Sequence, residues 1–199
     1  MRRRQAFTLV EVMVSLGVMT IAALAIFAMQ QQLIRANAHA RQLTIATQIA
    51  QNWIERLKMD ALRWNAAGPP SNTRYLKAIL APDADPAGFI PIPLDIVTNG
   101  TEKRVVSHAF DWFGNDLDTT GGAPAGLVYC ASHRLNWVFD NMRVIRADVR
   151  VWWPRDGIGA SIGAEYPECK DDNEKLNPKG DNFDRYHVVY LSTVLRAAP

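Results

Sequence analysis

Few side chains in these 199 residues are placed to do chemistry, and Glu11 is the one that stands out. It is the only charge in the run FTLVEVMVSLGVMTIAALAIFAM, from Phe7 to Met29. An ionised side chain inside such a run costs about 2.5 to 3.5 kcal/mol in a bilayer, so a carboxylate kept there calls for a cationic partner. The bland reading is that Glu11 lies near the headgroups and snorkels into water. The two cysteines, Cys130 and Cys169, offer thiol or disulfide chemistry, but they lack the CxxC spacing and nearby histidines of a zinc site. His39, His108, His133 and His187 are scattered, and no GxSxG, phosphate-binding glycine loop or HExxH accompanies them. The expectation is a protein that is not an enzyme, with no catalytic residue, no metal and no cofactor.

One long helix positions Glu11. About 20 mostly apolar residues span a bilayer, and the run beginning at Phe7 supplies them. After Gln30-Gln31-Gln32 the chain turns polar, yet neither Gly nor Pro intervenes before Gly68-Pro69-Pro70. Ala46, Ala50, Trp53, Leu57, Ala61 and Trp64 recur at three-and-four spacing, with Ile45, Ile49 and Ile54 beside them. The spacing predicts one helix from Phe7 to Trp64, about 85 Å long. Its first half suits lipid or a fibre core, and its second half packs under a sheet.

The remainder reads as a small sheet. Phe89-Ile90-Pro91-Ile92-Pro93-Leu94 is expected as an extended edge segment. Asp95 to Val106 reads as a hairpin turning at Asn99-Gly100; Asn99-Gly100-Thr101 also matches a glycosylation sequon, but the turn needs no further assumption. In Arg143–Trp153, Ile145, Ala147, Val149, Val151 and Trp153 alternate with Arg146, Asp148, Arg150 and Trp152, which predicts a strand with a charge ladder facing water. A last strand, Tyr186–Leu195, places Val189, Leu191, Thr193 and Leu195 on one face. Between them, 154–184 reads as a long solvated loop whose carboxylates do not follow calcium-loop spacing, and Asn115-Asp116-Leu117-Asp118 reads the same way. Exposure of Trp112, Trp137 or Trp152 would favour a binding surface.

Charge sets the orientation. Arg2, Arg3 and Arg4 precede the apolar run, which keeps that end in the cytoplasm and exports the rest. The whole chain carries 22 Lys+Arg against 20 Asp+Glu, and without those three arginines 19 face 20, so general nucleic-acid binding is not expected. In an oxidising compartment Cys130 and Cys169 are expected to pair.

Phe7-Thr8-Leu9-Val10-Glu11, behind a short basic leader, resembles the amino-terminal signature of type IV pilins and type II secretion pseudopilins. The resemblance implies that a prepilin peptidase cuts between Ala6 and Phe7 and methylates the new Phe7 amine. Ala6 stands where the family carries Gly. Glu11 becomes the fifth residue of the mature chain, the family's glutamate, which pairs with the amine of a neighbouring subunit and sets axial register. The family also closes a carboxy-terminal loop with a disulfide, which fits Cys130 and Cys169. The implied fold is α+β: residues 1–6 as leader, 7–64 as the long helix with 7–29 in the membrane or fibre core, and 65–199 as a periplasmic head on a small antiparallel sheet. The end of the chain is similar, more loosely, to minor pilins of the PilV type. The expected function is a minor type IV pilin that primes or decorates the pilus. The alternatives are a minor pseudopilin of type II secretion and an adhesin or DNA-uptake pilin. Implied partners are the peptidase, other major and minor pilins, the inner-membrane assembly platform and lipid, with the inner membrane as first location and the pilus or cell surface as last. A conventional secretory signal, with Ala23-Leu24-Ala25 as cut site, and an unprocessed anchor are the competing readings of the amino terminus.

Overall fold

Apolar residues in unbroken helical register, without proline, carry the chain into helix α1 (Leu9–Ala61). The computed structural model describes residues 8–64, 70–79, 88–93, 95–99, 102–120, 124–138, 143–155, 169 and 186–197. Its 53 residues make α1 about 80 Å long. The chain divides into two compact units, Met1–Gln42 and Leu43–Pro199. In the first, every large apolar side chain from Leu9 to Ile34 is exposed.

The second unit holds strands β1 (Ile90–Pro91), β2 (Asp95–Asn99), β3 (Glu102–Val106), β4 (Ala109–Phe110), β5 (Tyr129–Trp137), β6 (Val144–Pro154) and β7 (Tyr186–Arg196). One antiparallel sheet runs β1-β5-β6-β7 with β4 also on β5, and β2 and β3 form a separate pair. The helical stripe expected to pack does so: Ala46, Ala50, Trp53, Leu57, Ala61 and Trp64 are buried in one cluster with Ile145, Ala147, Val149, Val151 and Trp153 of β6. Trp64 meets Trp137 edge-on at 5.6 Å, and Trp53 meets Tyr75 in the same way at 5.4 Å. Aromatic rings bury large apolar areas; the Trp64–Trp137 contact ties the end of α1 to β5, and the Trp53–Tyr75 contact ties α1 to the segment before the 3₁₀ turn Leu76–Ala78.

Carboxylates fasten the surrounding segments to α1. Asp60, in its last turn, is buried and accepts the main-chain N–H groups of Arg74 (2.9 Å), Tyr75 (2.7 Å) and Leu76 (3.1 Å). It therefore caps the short 3₁₀ turn Leu76–Ala78, which has no side-chain cap of its own. Asp116 accepts from the Ser107 N–H (2.9 Å) and from Arg56 Nη2 (3.2 Å), whose guanidinium lies 4.7 Å from the Trp53 ring. Gly114 has φ +83°, and a Cβ there would come within 3.1 Å of Ile45 Cγ2, so this turn needs glycine to lie against the helix.

Several expectations change. α1 ends at Ala61, and the chain reaches Trp64 through a tighter turn in which Arg63 and Trp64 donate to the Asp60 and Ala61 carbonyls. Asn99 ends strand β2 paired with Glu102, where the sequence placed it in the turn; Gly100 and Thr101 lie outside the described residues. Asp116 is an internal partner of Arg56, not a solvated loop residue.

The largest correction concerns Asp148. It is buried, and so are Arg150 and Trp152, because other side chains cover this part of the face, while Arg146 and Val194 on the same face stay exposed. Phe89 lies 4.1 Å from the Arg150 guanidinium and 4.8 Å from that of Arg134. Asp148 accepts from Ser192 Oγ (2.5 Å), Arg134 Nη2 (2.9 Å) and Nε (3.2 Å), and Arg146 Nε (2.9 Å). Burial raises its pKa, and these donors more than offset that, so it stays below the usual carboxylate value. Trp152 is buried edge-on against Tyr186 at 5.2 Å, and Trp112 and Trp137 are half-buried. The expected 154–184 loop, with its acidic stretch, lies outside the described residues except for Pro154, Arg155 and Cys169.

Candidate assembly segment

The start of α1 is built as a helix end. Thr8 stands at the N-cap position, and its Oγ1 accepts the Glu11 N–H at 3.4 Å while its carbonyl accepts from Glu11 and Val12 at 3.1 and 3.3 Å. Glu11 is thus the third residue of the first turn, three after a threonine, in the spacing of a capping box. A negative charge there is favoured by the helix dipole by about 0.3 to 1 kcal/mol. That is well short of the cost of holding an ionised carboxylate in hydrocarbon. The dipole alone therefore does not offset that cost. Glu11 is exposed and forms no ion pair among the described residues.

The other polar side chains near the start of this segment are already satisfied. Ser15 Oγ donates to the Glu11 carbonyl at 2.7 Å, and Thr20 Oγ1 donates to the Gly17 carbonyl at 2.8 Å. Such back-bonding lets a hydroxyl enter an apolar phase without an unmet donor. Together with the exposed side chains from Leu9 to Ile34, this makes α1 long and apolar enough to cross a membrane. Ala6 and Phe7, the expected cleavage and methylation site, lie outside the described residues.

Cys130 and Cys169 are joined by a disulfide across 39 positions of sequence, with Cα atoms 5.4 Å apart and both residues buried. It ties residue 169 to the central strand β5 beside Trp152. The four histidines are dispersed. His39 is exposed on α1, His108 Nδ1 bonds the Ile92 carbonyl at 2.8 Å, and His187 lies against Trp153 at 5.3 Å. His133 is buried in β5, with neither ring nitrogen hydrogen-bonded among the described residues, and burial pushes its pKa down to about 4. Among the described residues no group of three or more His, Cys, Asp or Glu could hold a metal.

Sequence reading missed Thr8 as a cap, though Thr-x-x-Glu ahead of an apolar run was signal enough. It also missed Asp60 and the inward turn of Asp116, whose partners are remote in sequence and leave no local pattern.

Residues 1–27 match the family model described as the prokaryotic N-terminal methylation motif. No curated protein and no solved structure matches the chain. The motif, and the exposed apolar helix that begins within it, support a prepilin-type amino terminus similar to those of type IV pilins and pseudopilins.

Proposed function

We propose that this chain is a minor type IV pilin, a structural and assembly subunit that primes or decorates the fibre. It enters the inner membrane with residues 1–6 in the cytoplasm, residues 7–29 in the bilayer and the head in the periplasm. Prepilin peptidase cuts between Ala6 and Phe7 and methylates the Phe7 amine. The assembly platform then moves the subunit from lipid into a bundle of like helices, where apolar contacts replace those with lipid. Inside that bundle the Glu11 carboxylate meets the amine of a neighbouring subunit. Opposite charges attract far more strongly there than in water, and leaving either one alone is costly, so subunits add in one register.

The observation that carries this reading is a single carboxylate in the exposed apolar stretch Leu9–Ile34, within the matched methylation motif and without an ion-pair partner among the described residues. Mass spectrometry of the native protein is expected to find a chain beginning at methylated Phe7. Glu11→Ala is expected to leave cleavage and folding intact and to remove the subunit from sheared fibres. An intact Met1 in peptidase-positive cells, or normal incorporation of Glu11→Ala, would overturn it.

A further inference from the structure

The two edges of the larger sheet are unlike. One is made by β1 and β4, each two residues long, and β1 contains Pro91 with Pro93 just beyond it. Short strands and prolines are the usual means of closing an edge to further pairing. The other edge is β7, an eleven-residue strand, YHVVYLSTVLR, with no proline, lysine or acid in it.

The phase of the ladder tells which groups of β7 face outward. Ala197 donates its N–H to the Arg143 carbonyl at 3.0 Å, one step beyond the Val144–Arg196 pair. Alternation from there turns the main-chain groups of Val189, Leu191, Thr193 and Leu195 toward β6. Those of Val188, Tyr190, Ser192, Val194 and Arg196 point away from the sheet. The Tyr186 carbonyl, on the same outward side, accepts from Arg155 Nε at 3.2 Å. From Val188 to Arg196 the outward groups meet no hydrogen-bonding partner among the described residues. Tyr190 is 48% exposed and Val194 63% exposed on this open stretch.

We infer that β7 is an assembly edge, which takes one extended strand from a neighbouring, different subunit of the fibre. The inference rests on the reading of the chain as a fibre subunit. Main-chain groups spaced along an open edge are satisfied by another strand, as in strand addition to a sheet. Val194 calls for an apolar cross-strand partner, while the Tyr190 ring already meets Phe89 edge-on at 6.0 Å and offers only its exposed part to another strand. Arg196 is exposed and has no partner among the described residues, so the incoming strand carries a carboxylate at that end. A second copy's β7 contains no Asp or Glu, so self-pairing leaves Arg196 unanswered.

Hydrogen exchange on the full-length chain, in detergent and after incorporation into fibres, tests this. The Tyr190, Ser192 and Val194 amides are expected to exchange fast in detergent and to slow by about 100-fold in fibres, while Leu191 and Thr193 are slow in both. Val194→Pro removes one outward N–H and Val194→Lys places a charge on the edge. Each is expected to cut incorporation by about tenfold, with the methylated Phe7 terminus and the unfolding midpoint unchanged. Fast edge amides in fibre-bound protein, or normal incorporation of both variants, would overturn the inference alone. Edge amides already slow in detergent at high protein concentration would point to self-pairing and overturn the proposed occupant. Absence of the wild-type chain from fibres would remove this inference and the pilin reading together.

Discussion

Two stretches of one helix face the same problem and meet it in opposite ways. From Leu9 to Ile34 the large apolar side chains of α1 are all exposed, whereas Ile49, Trp53, Ile54 and Leu57 are buried. Apart from Glu11, the first stretch is apolar on every side as far as Met29, so no single face of a small domain has room for it. The second gathers most of its apolar residues into one stripe, Leu43 and Met59 excepted, and gives other positions to Gln48, Gln51, Glu55 and Lys58. The chain's own sheet covers the second stretch. The first is left for an apolar environment outside the chain, which on the proposed function is lipid or the helices of other subunits.

The largest expected effect tests the self-covered stretch. Trp53→Ala removes a ring that is 2% exposed and packed on Tyr75 and Arg56. It is expected to destabilise the head by about 3 to 5 kcal/mol in denaturant titrations of the full chain in micelles. A loss below about 1 kcal/mol would mean that the stripe is not what holds α1 to the sheet. Replacing Cys130 and Cys169 together by Ala comes next. Closing a loop of this separation contributes about 4 kcal/mol on the chain-entropy model. The same titration under non-reducing conditions reads the loss, and an unchanged midpoint would show that the bond does not constrain the unfolded chain.

The contrast within α1 was legible from sequence because helical periodicity records which face is covered. The sheet was harder for the same reason. β6 and β7 were found from their alternation, but β5, the strand between β6 and the β1/β4 edge, was not. Both its faces are buried, so Cys130 and Ser132 interleave with Tyr129, Ala131 and His133 and no period-two contrast remains. Alternation also misjudged Asp148. The pattern marks polar and apolar positions, but it cannot see Phe89 arriving from a remote segment to cover Arg134 and Arg150. Glu11 was legible because its context is entirely local. The open edge at β7 was not, since it depends on which strands end up beside it.

A medium effect separates the two faces of the sheet by pH. His133 lies on the helix-side face, paired with Val149 and Ile90, and is held neutral by burial with a pKa near 4 against an ordinary 6.5. The unfolded chain protonates it first, so its contribution is fully present above pH 6.5 and is lost as pH falls toward 4. The loss amounts to about 3 kcal/mol. Asp148, on the opposite face, has a lowered pKa, so its contribution is present above the ordinary carboxylate value and is lost only on further acidification. Unfolding free energies measured at pH 7 and pH 4.5 are expected to differ by most of the His133 amount in the wild type. His133→Leu is expected to remove most of that difference. A slope that persists in His133→Leu would place the acid sensitivity elsewhere.

The smallest expected effect is the sharpest test of the comparison. Leu24 lies on the first stretch and is 69% exposed, with no burial against the chain itself. Leu24→Ala is therefore expected to shift head unfolding by less than about 0.5 kcal/mol, as exposed positions do. The same truncation at buried Leu57 is expected to cost about 2 to 5 kcal/mol, because it opens a cavity in the core. Both measurements use the full chain in one detergent, so the micelle is common to the pair. A loss above about 1 kcal/mol at Leu24 would mean that the head's stability draws on that side chain after all. The division of α1 into a self-covered stretch and a stretch covered by other molecules would then fail.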